Sequence, residues 1–174
     1  YSYYDYNEKL TCLKVHKGYQ LGDGSTKWYL GHKIAHFSTD KPLYICEGEK
    51  DALCLLSNRF QVVSVSTGCQ TIPTDKMIEE IKDFRPIICY DNDDAGKKGA
   101  DKVAEAISKI SIHPVKIIQW DEKLPDKFDV FDSYNRELEY KNHFTDAVAN
   151  SKEHKIKLKG LEMITGLEAQ TMDI

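Results

Sequence analysis

The chain has 174 residues, 41% of them hydrophobic and 30% charged, with 10 Gly and 5 Pro. That is enough apolar material for a packed core and too little Gly and Pro for a disordered or fibrous chain. The formal net charge is -4, from 24 basic and 28 acidic side chains, which taken alone argues against a surface dedicated to nucleic acid. No run of about 18 apolar residues reads as a membrane span, and no basic start leads into an apolar signal segment. The chain opens on Tyr1 rather than Met and stops at Ile174, so both ends read as cut from something longer. Cys12, Cys46, Cys54, Cys69 and Cys89 form no CxxC pair, and several sit in apolar runs. Buried thiols in a reducing cytoplasm are expected, rather than a zinc ribbon or a disulfide framework.

In chain order, residues 1–41 are aromatic and Lys-rich, with turn signals at Gly18, Gly22-Asp23-Gly24 and Gly31. The composition shifts at Thr39-Asp40-Lys41-Pro42. Leu43-Tyr44-Ile45-Cys46 then reads as a buried strand. A short helix over 51–57 follows, offering Ala52, Leu53, Leu55 and Leu56 to the core. Val62-Val63-Ser64-Val65 is a second strand. Thr74 and Asp75 can cap a helix that presents Met77, Ile78 and Ile81 on one face. Pro86 opens a third strand, Ile87-Ile88-Cys89-Tyr90. Helical spacing of Ala100, Val103, Ala104, Ile107 and Ile110 predicts a helix over 97–110, broken by His113-Pro114. Val115-Lys116-Ile117-Ile118 is the fourth strand.

This alternation predicts an α/β fold with a parallel sheet of about four strands flanked by helices, behind a small β-rich N-terminal segment. The expected divisions are 1–41, 42–132 and a helical extension and linker over 133–174. Sites in such sheets form beyond the carboxyl ends of the strands. Glu47-Gly48-Glu49-Lys50-Asp51 follows the first strand, Ser66-Thr67-Gly68 the second, and Asp91-Asn92-Asp93-Asp94-Ala95-Gly96 the third. Downstream of the fourth comes Asp126-Lys127-Phe128-Asp129-Val130-Phe131-Asp132.

Carboxylates gathered at one rim repel unless cations neutralise them or some hold protons. Oxygen ligands without His or Cys select Mg²⁺ or Mn²⁺ over zinc. Gly48, Gly68 and Gly96 leave room at the rim and permit backbone conformations closed to other residues. The N-terminus of the helix after Gly96 faces the rim, where N–H groups favour phosphate. A calcium loop starting at Asp91 is excluded, since Lys102 stands where the EF-hand pattern requires Glu.

The Glu47-Gly48 turn and the Asp91-Asn92-Asp93 turn resemble the two hallmarks of the TOPRIM domain, the metal-binding module of bacterial primases, topoisomerases and some nucleases. Their surroundings, with Ser64-Val65-Ser66-Thr67-Gly68, resemble the primase branch, including phage and plasmid helicase–primases; the resemblance covers about residues 42–132. Tyr3 to Leu10 is similar to the Tyr-x-Asp-x-x-Gly hairpin that precedes TOPRIM in those primases, with a polar residue in place of Gly, and His16-Lys17 stands where an Arg is common. Met163 to Leu167 lies where a helicase domain would begin, and no GxxxxGK[ST] is present, so helicase activity is expected outside this chain.

The resemblance implies that Asp91 and Asp93 bind metal directly, that Glu47 is a ligand or general acid/base, and that Asp51 orients Lys50 or the metal's water shell. It places Asp129 last in the metal site, with Asp132 and Asp126 as alternatives. It implies primer synthesis from NTPs on single-stranded DNA with Mg²⁺ or Mn²⁺, beside a helicase domain and in the cytoplasm. Lys14, Lys17, Lys27, Lys33, Lys50 and Lys97 are candidates for phosphate contacts, with Gly48, Gly68 and Gly96 near the nucleotide. Tyr4, Tyr6, Trp28 and Tyr29 can stack on bases, although hairpin or core packing is the commoner fate of such rings. A TOPRIM nuclease and a non-catalytic DNA- or partner-binding module are the alternatives.

Residues 1–41 carry six basic and four acidic side chains, while residues 42–132 carry 12 and 17. The acidic excess thus lies in the segment holding the expected metal site, and two divalent ions would offset four of those charges.

Overall fold

A computed structural model describes residues 1–4, 7, 9–14, 20–22, 26–65, 71–134 and 143–155. The elements in chain order begin with strands β1 (Ser2–Tyr4), β2 (Leu10–Lys14), β3 (Gln20–Gly22) and β4 (Trp28–Tyr29). A 3₁₀ turn (Gly31–His36) leads to β5 (Pro42–Cys46), α1 (Glu49–Ser57), β6 (Val62–Val65), α2 (Asp75–Glu79) and β7 (Arg85–Cys89). Then come α3 (Asp94–Ser108), β8 (Lys116–Ile117), α4 (Val130–Tyr134), α5 (His143–Ala149) and β9 (Lys152–Glu153).

The main sheet has six strands in the order β4-β6-β5-β7-β8-β9. Its middle four, β6, β5, β7 and β8, are parallel neighbours, as the alternating pattern predicts. Antiparallel edges close both sides: Trp28 pairs with Val65 on β6, and Ile117 with Lys152 on β9. Those edges come from the segments flanking 42–132, so the sheet draws on all three stretches of the chain. A separate antiparallel sheet, β1-β2-β3, forms the β-rich N-terminal piece.

Both faces of the main sheet are covered, which is why its strands read as unbroken apolar runs. On one face Leu43, Ile45, Val63, Val65 and Ile88 pack with Met77, Ile78 and Ile81 near α2 and with Ala100, Val103, Ala104 and Ile107 of α3. On the other, Tyr44, Cys46, Val62, Ile87 and Cys89 pack with Ala52 and Leu55 of α1, Val130 of α4 and Phe144 of α5. Thr74 caps α2, its Oγ1 accepting from Met77 N at 3.4 Å. Leu53 differs from expectation: the other face of α1 does the packing, and Leu53 stays 41% exposed.

The fates of several side chains follow from these layers. Trp28 and Tyr29 are core residues, Trp28 Nε1 donating to Met77 O at 2.8 Å. Tyr4 is half-exposed with its ring edge on His32. Cys46 and Cys89 are buried free thiols that burial pushes well above the usual range. Among the described residues, no helix is long and apolar enough to cross a membrane.

Candidate functional site

The rim at the carboxyl ends of β5 and β7 gathers the acids. β5 runs into Glu47 and Gly48, and α1 starts at once, putting Asp51 in its first turn. β7 runs through Tyr90 to Asp91. Asp129 arrives from the loop after β8, immediately before α4. One carboxylate oxygen from each of Asp51, Asp91 and Asp129 lies within 4.8 Å of the others. Like charges at that spacing repel by about 3–4 kcal/mol at an effective dielectric near 20, so the cluster favours a counter-charge. Burial, then the charges of Glu47, Asp51, Asp129 and Asp93, raises Asp91 to about 8. Burial first, and Asp129 next, raises Asp51 to about 7 against the opposing pull of Lys50 and the Phe131 N–H.

Backbone donors fix these groups. Phe131 N donates to Asp51 Oδ1 at 3.0 Å, tying α1 to α4. Asp129 and Asp132 cap α4 reciprocally: Asp132 N donates to Asp129 Oδ1 at 2.7 Å, and Asp129 N to Asp132 Oδ2 at 3.4 Å. Of the three acids after β8, Asp129 is therefore the one in the trio, Asp132 its capping partner, while Asp126 is exposed. Glu47 sits beside the trio, Oε2 lying 3.5 Å from Asp91 N.

Asp93 has a different place. It is the N-cap of α3, Oδ1 accepting from Gly96 N at 2.6 Å. The helix thus starts at Asp94, three residues earlier than the apolar spacing suggests. The Asp93 carboxylate thus occupies one N–H of the first turn, that of Gly96, and its charge complements the helix N-terminus. Gly96 lies inside the first turn, and a Cβ there would stand 2.4 Å from Asp91 O. Its role is close approach rather than unusual conformation. Gly48 likewise has ordinary extended backbone, φ −123° and ψ 160°, and a Cβ there would meet only Asp51 Oδ2 at 3.4 Å.

The lysines divide. Lys14 Nζ pairs with Glu49 Oε1 at 2.6 Å, and Tyr3 Oη donates to the same oxygen, fastening the N-terminal sheet to α1. Lys50 Nζ pairs with Asp129 Oδ2 at 2.6 Å. Lys97 is exposed on the first turn of α3 and lines a cavity of about 300 Å³ with Asp91, Gly96 and Trp120. Lys27 and Lys33 are half-buried around β4 and the 3₁₀ turn. Lys17, Tyr6, Gly68 and the Ser66-Thr67 stretch lie outside the described residues.

Two residues have site roles that the sequence reading leaves unassigned. Buried Glu49 joins the N-terminal sheet to α1 as above. Asn92, 8% exposed, ties the Asp91 turn to the loop that delivers Asp129. Its N–H donates to Phe128 O at 2.9 Å, its carbonyl accepts from Lys127 N at 3.2 Å, and Nδ2 reaches Leu124 O and Pro125 O at 3.4 and 3.3 Å. The available signal was an amide between two carboxylates, a side chain able to donate where its neighbours only accept.

Fold and site together define a parallel α/β domain whose carboxylates converge at the ends of its central strands. The chain belongs to the Toprim-like family, which its sequence matches over residues 44–130, half of its length. No curated protein sequence matches it. Among solved structures it is similar to the primase fragment of the bacteriophage T7 primase-helicase protein, with a TM-score of 0.62, 20% identity, and coverage of 84% of this chain and 60% of that one. A DNA primase domain from Pseudomonas aeruginosa matches with a TM-score of 0.65 and 17% identity, over 88% of this chain and 51% of that one. The DnaG primase catalytic domain bound to single-stranded DNA matches with a TM-score of 0.54 and 21% identity, over 72% and 39%. The chain therefore spans about half to three-fifths of the first two structures, and at these identities the likeness is one of fold.

Proposed function

We propose that this chain is the TOPRIM catalytic portion of a DNA primase, joining NTPs into RNA primers on a single-stranded DNA template with Mg²⁺ or Mn²⁺, in a protein that also contains or partners a helicase. The observation that carries this reading is the trio Asp51, Asp91 and Asp129, two of them buried and Asp91 half-buried, at the strand ends of a fold shared with primase fragments. The trio fits a hard divalent cation: its donors are all carboxylate oxygens, and burial, with the charges of neighbouring carboxylates, drives Asp51 and Asp91 towards protonation. Asp51, Asp91 and Asp129 would hold the ion, with Glu47 beside them and Asp93 serving through α3.

A bound Mg²⁺ or Mn²⁺ supplies a lowered pKa for the primer 3′-hydroxyl and neutralisation of charge on the phosphates. Glu47, whose Oε2 lies 3.5 Å from Asp91 N, would accept the hydroxyl proton. The 3′-oxygen then bonds to the α-phosphorus, the bond from that phosphorus to the bridging oxygen breaks, and pyrophosphate departs. Lys97 borders the cavity next to Asp91, where a triphosphate would approach. By the family resemblance Lys14 and Lys17 would face the template and Gly48, Gly68 and Gly96 would lie near the nucleotide.

The test is primer synthesis by the full-length protein on single-stranded DNA with NTPs and either ion. Asp91→Asn and Glu47→Gln should each lower synthesis by at least about 100-fold. Undiminished synthesis in both variants refutes the reading.

A further inference from the structure

Lys50 is a cation already inside the acidic rim. Its Nζ is 2.6 Å from Asp129 Oδ2 and 4.7 Å from the centre of the Phe131 ring. The two oxygens of Asp129 have unequal partners. Oδ1 is held by a backbone N–H, which withdraws only if the first turn of α4 opens. Oδ2 is held by a side chain that is 46% exposed, on a flexible four-carbon stem. A divalent ion shared by the trio must draw on Asp129, and the partner able to yield is Lys50. Phe131, itself 43% exposed, leaves the ammonium an alternative support at the rim once the ion pair opens.

We propose that Lys50 is the resident counter-cation of the rim: it holds Asp129 against Asp51 and Asp91, and an entering divalent ion displaces it, so that Lys50 sets the cation concentration at which the site loads. This rests on the reading that the trio binds a divalent ion. Lys50 acts through Asp129 and is a positioning residue. Its competition with the ion is electrostatic, since a positive charge beside a ligand opposes the arrival of a second one.

The test is Mn²⁺ binding followed by electron paramagnetic resonance, in the wild type, Lys50→Met, Lys50→Arg and Asp91→Asn. Removing one like charge from beside the site should tighten binding in Lys50→Met by about tenfold, while Lys50→Arg stays within about twofold of the wild type. In the wild type, Mg²⁺ should also speed acetylation of Lys50 by acetic anhydride, read by mass spectrometry, and should not do so in Asp91→Asn. This second readout holds even if Lys50→Met fails to fold. Unchanged or weaker Mn²⁺ binding in Lys50→Met, or acetylation indifferent to Mg²⁺ in a protein that binds Mn²⁺, overturns the proposal. If neither wild type nor Lys50→Met binds Mn²⁺ better than Asp91→Asn does, the cation-site reading falls first.

Discussion

Replacing Gly96 with Ala tests whether close approach of α3 to the strand end is what fixes Asp91. The added methyl would lie 2.4 Å from Asp91 O, 3.0 Å from Asp91 N and 3.1 Å from Asp91 C. All three neighbours are backbone, so no side chain can swing away, and relief requires α3 and the Asp91 turn to separate by about 1 Å. Overpacking of this kind costs about 1–3 kcal/mol, and Ala in a helix returns about 1 kcal/mol relative to Gly. Separation also loosens the Asp93–Gly96 cap, worth about 1 kcal/mol. The expected net is a loss of about 2 kcal/mol in urea unfolding, with Mn²⁺ affinity falling as Asp91 leaves its place. Gly48→Ala is the contrast. Its backbone is ordinary and its methyl would make normal contact with Asp51 Oδ2, so its stability should stay within about 0.5 kcal/mol of the wild type. Should Gly96→Ala match the wild type in urea midpoint and Mn²⁺ affinity, close packing is not what positions Asp91 and the reasoning fails.

Asn92→Ala should cost about 1–2 kcal/mol in urea unfolding, because the two carbonyls Nδ2 reaches lose a donor and its bonds to them are long. The same variant should weaken Mn²⁺ binding, since Asn92 joins the turns bearing Asp91 and Asp129; stability lost with affinity intact would confine Asn92 to a structural role. The pH dependence also has a definite sign. Asp91 and Asp51 are raised to about 8 and about 7 in the fold, so between about pH 4 and pH 8 the native state holds more protons than the unfolded chain. In EDTA the urea midpoint should therefore fall as pH rises from 5.5 to about 8.5, and saturating Mg²⁺ should flatten the slope by taking the protons' place. A midpoint that climbs with pH in EDTA contradicts the assignment.

The parallel core was legible because burial on both faces writes each strand as a solid apolar block. The two edge strands were not. Trp28–Tyr29 and Lys152–Glu153 are two residues each, too short for any period, and Lys152–Glu153 is exposed and paired through backbone alone. The rim was legible as a set of turns, but the division of labour among its acids depended on where the helices start. α1 begins at Glu49 behind Gly48, which offers no capping side chain to mark the boundary. That start puts Asp51 in the first turn, where a side chain leans back towards the helix N-terminus and the rim. For α3 the signal was present but ambiguous: an Asp three residues before a helical Gly is a fitting N-cap as well as a plausible ligand, and in the structure one oxygen of Asp93 takes the cap.

The acidic surplus of residues 42–132 is thus distributed among partners of different kinds. Glu49 is answered by Lys14 and Tyr3, Asp93 by the first turn of α3, Asp132 by the start of α4, and Asp129 by both a backbone N–H and Lys50. Asp51 has one backbone donor, yet burial and its neighbours still push it up; Asp91 is pushed furthest. These are the groups whose ionised forms the protein alone supports least. A cation binding there gains from carboxylates that the fold has buried together without enough counter-charge, and protons are its natural competitors. The net charge of the whole chain conceals this, because it counts alike the acids committed to caps and ion pairs and the few gathered at the rim.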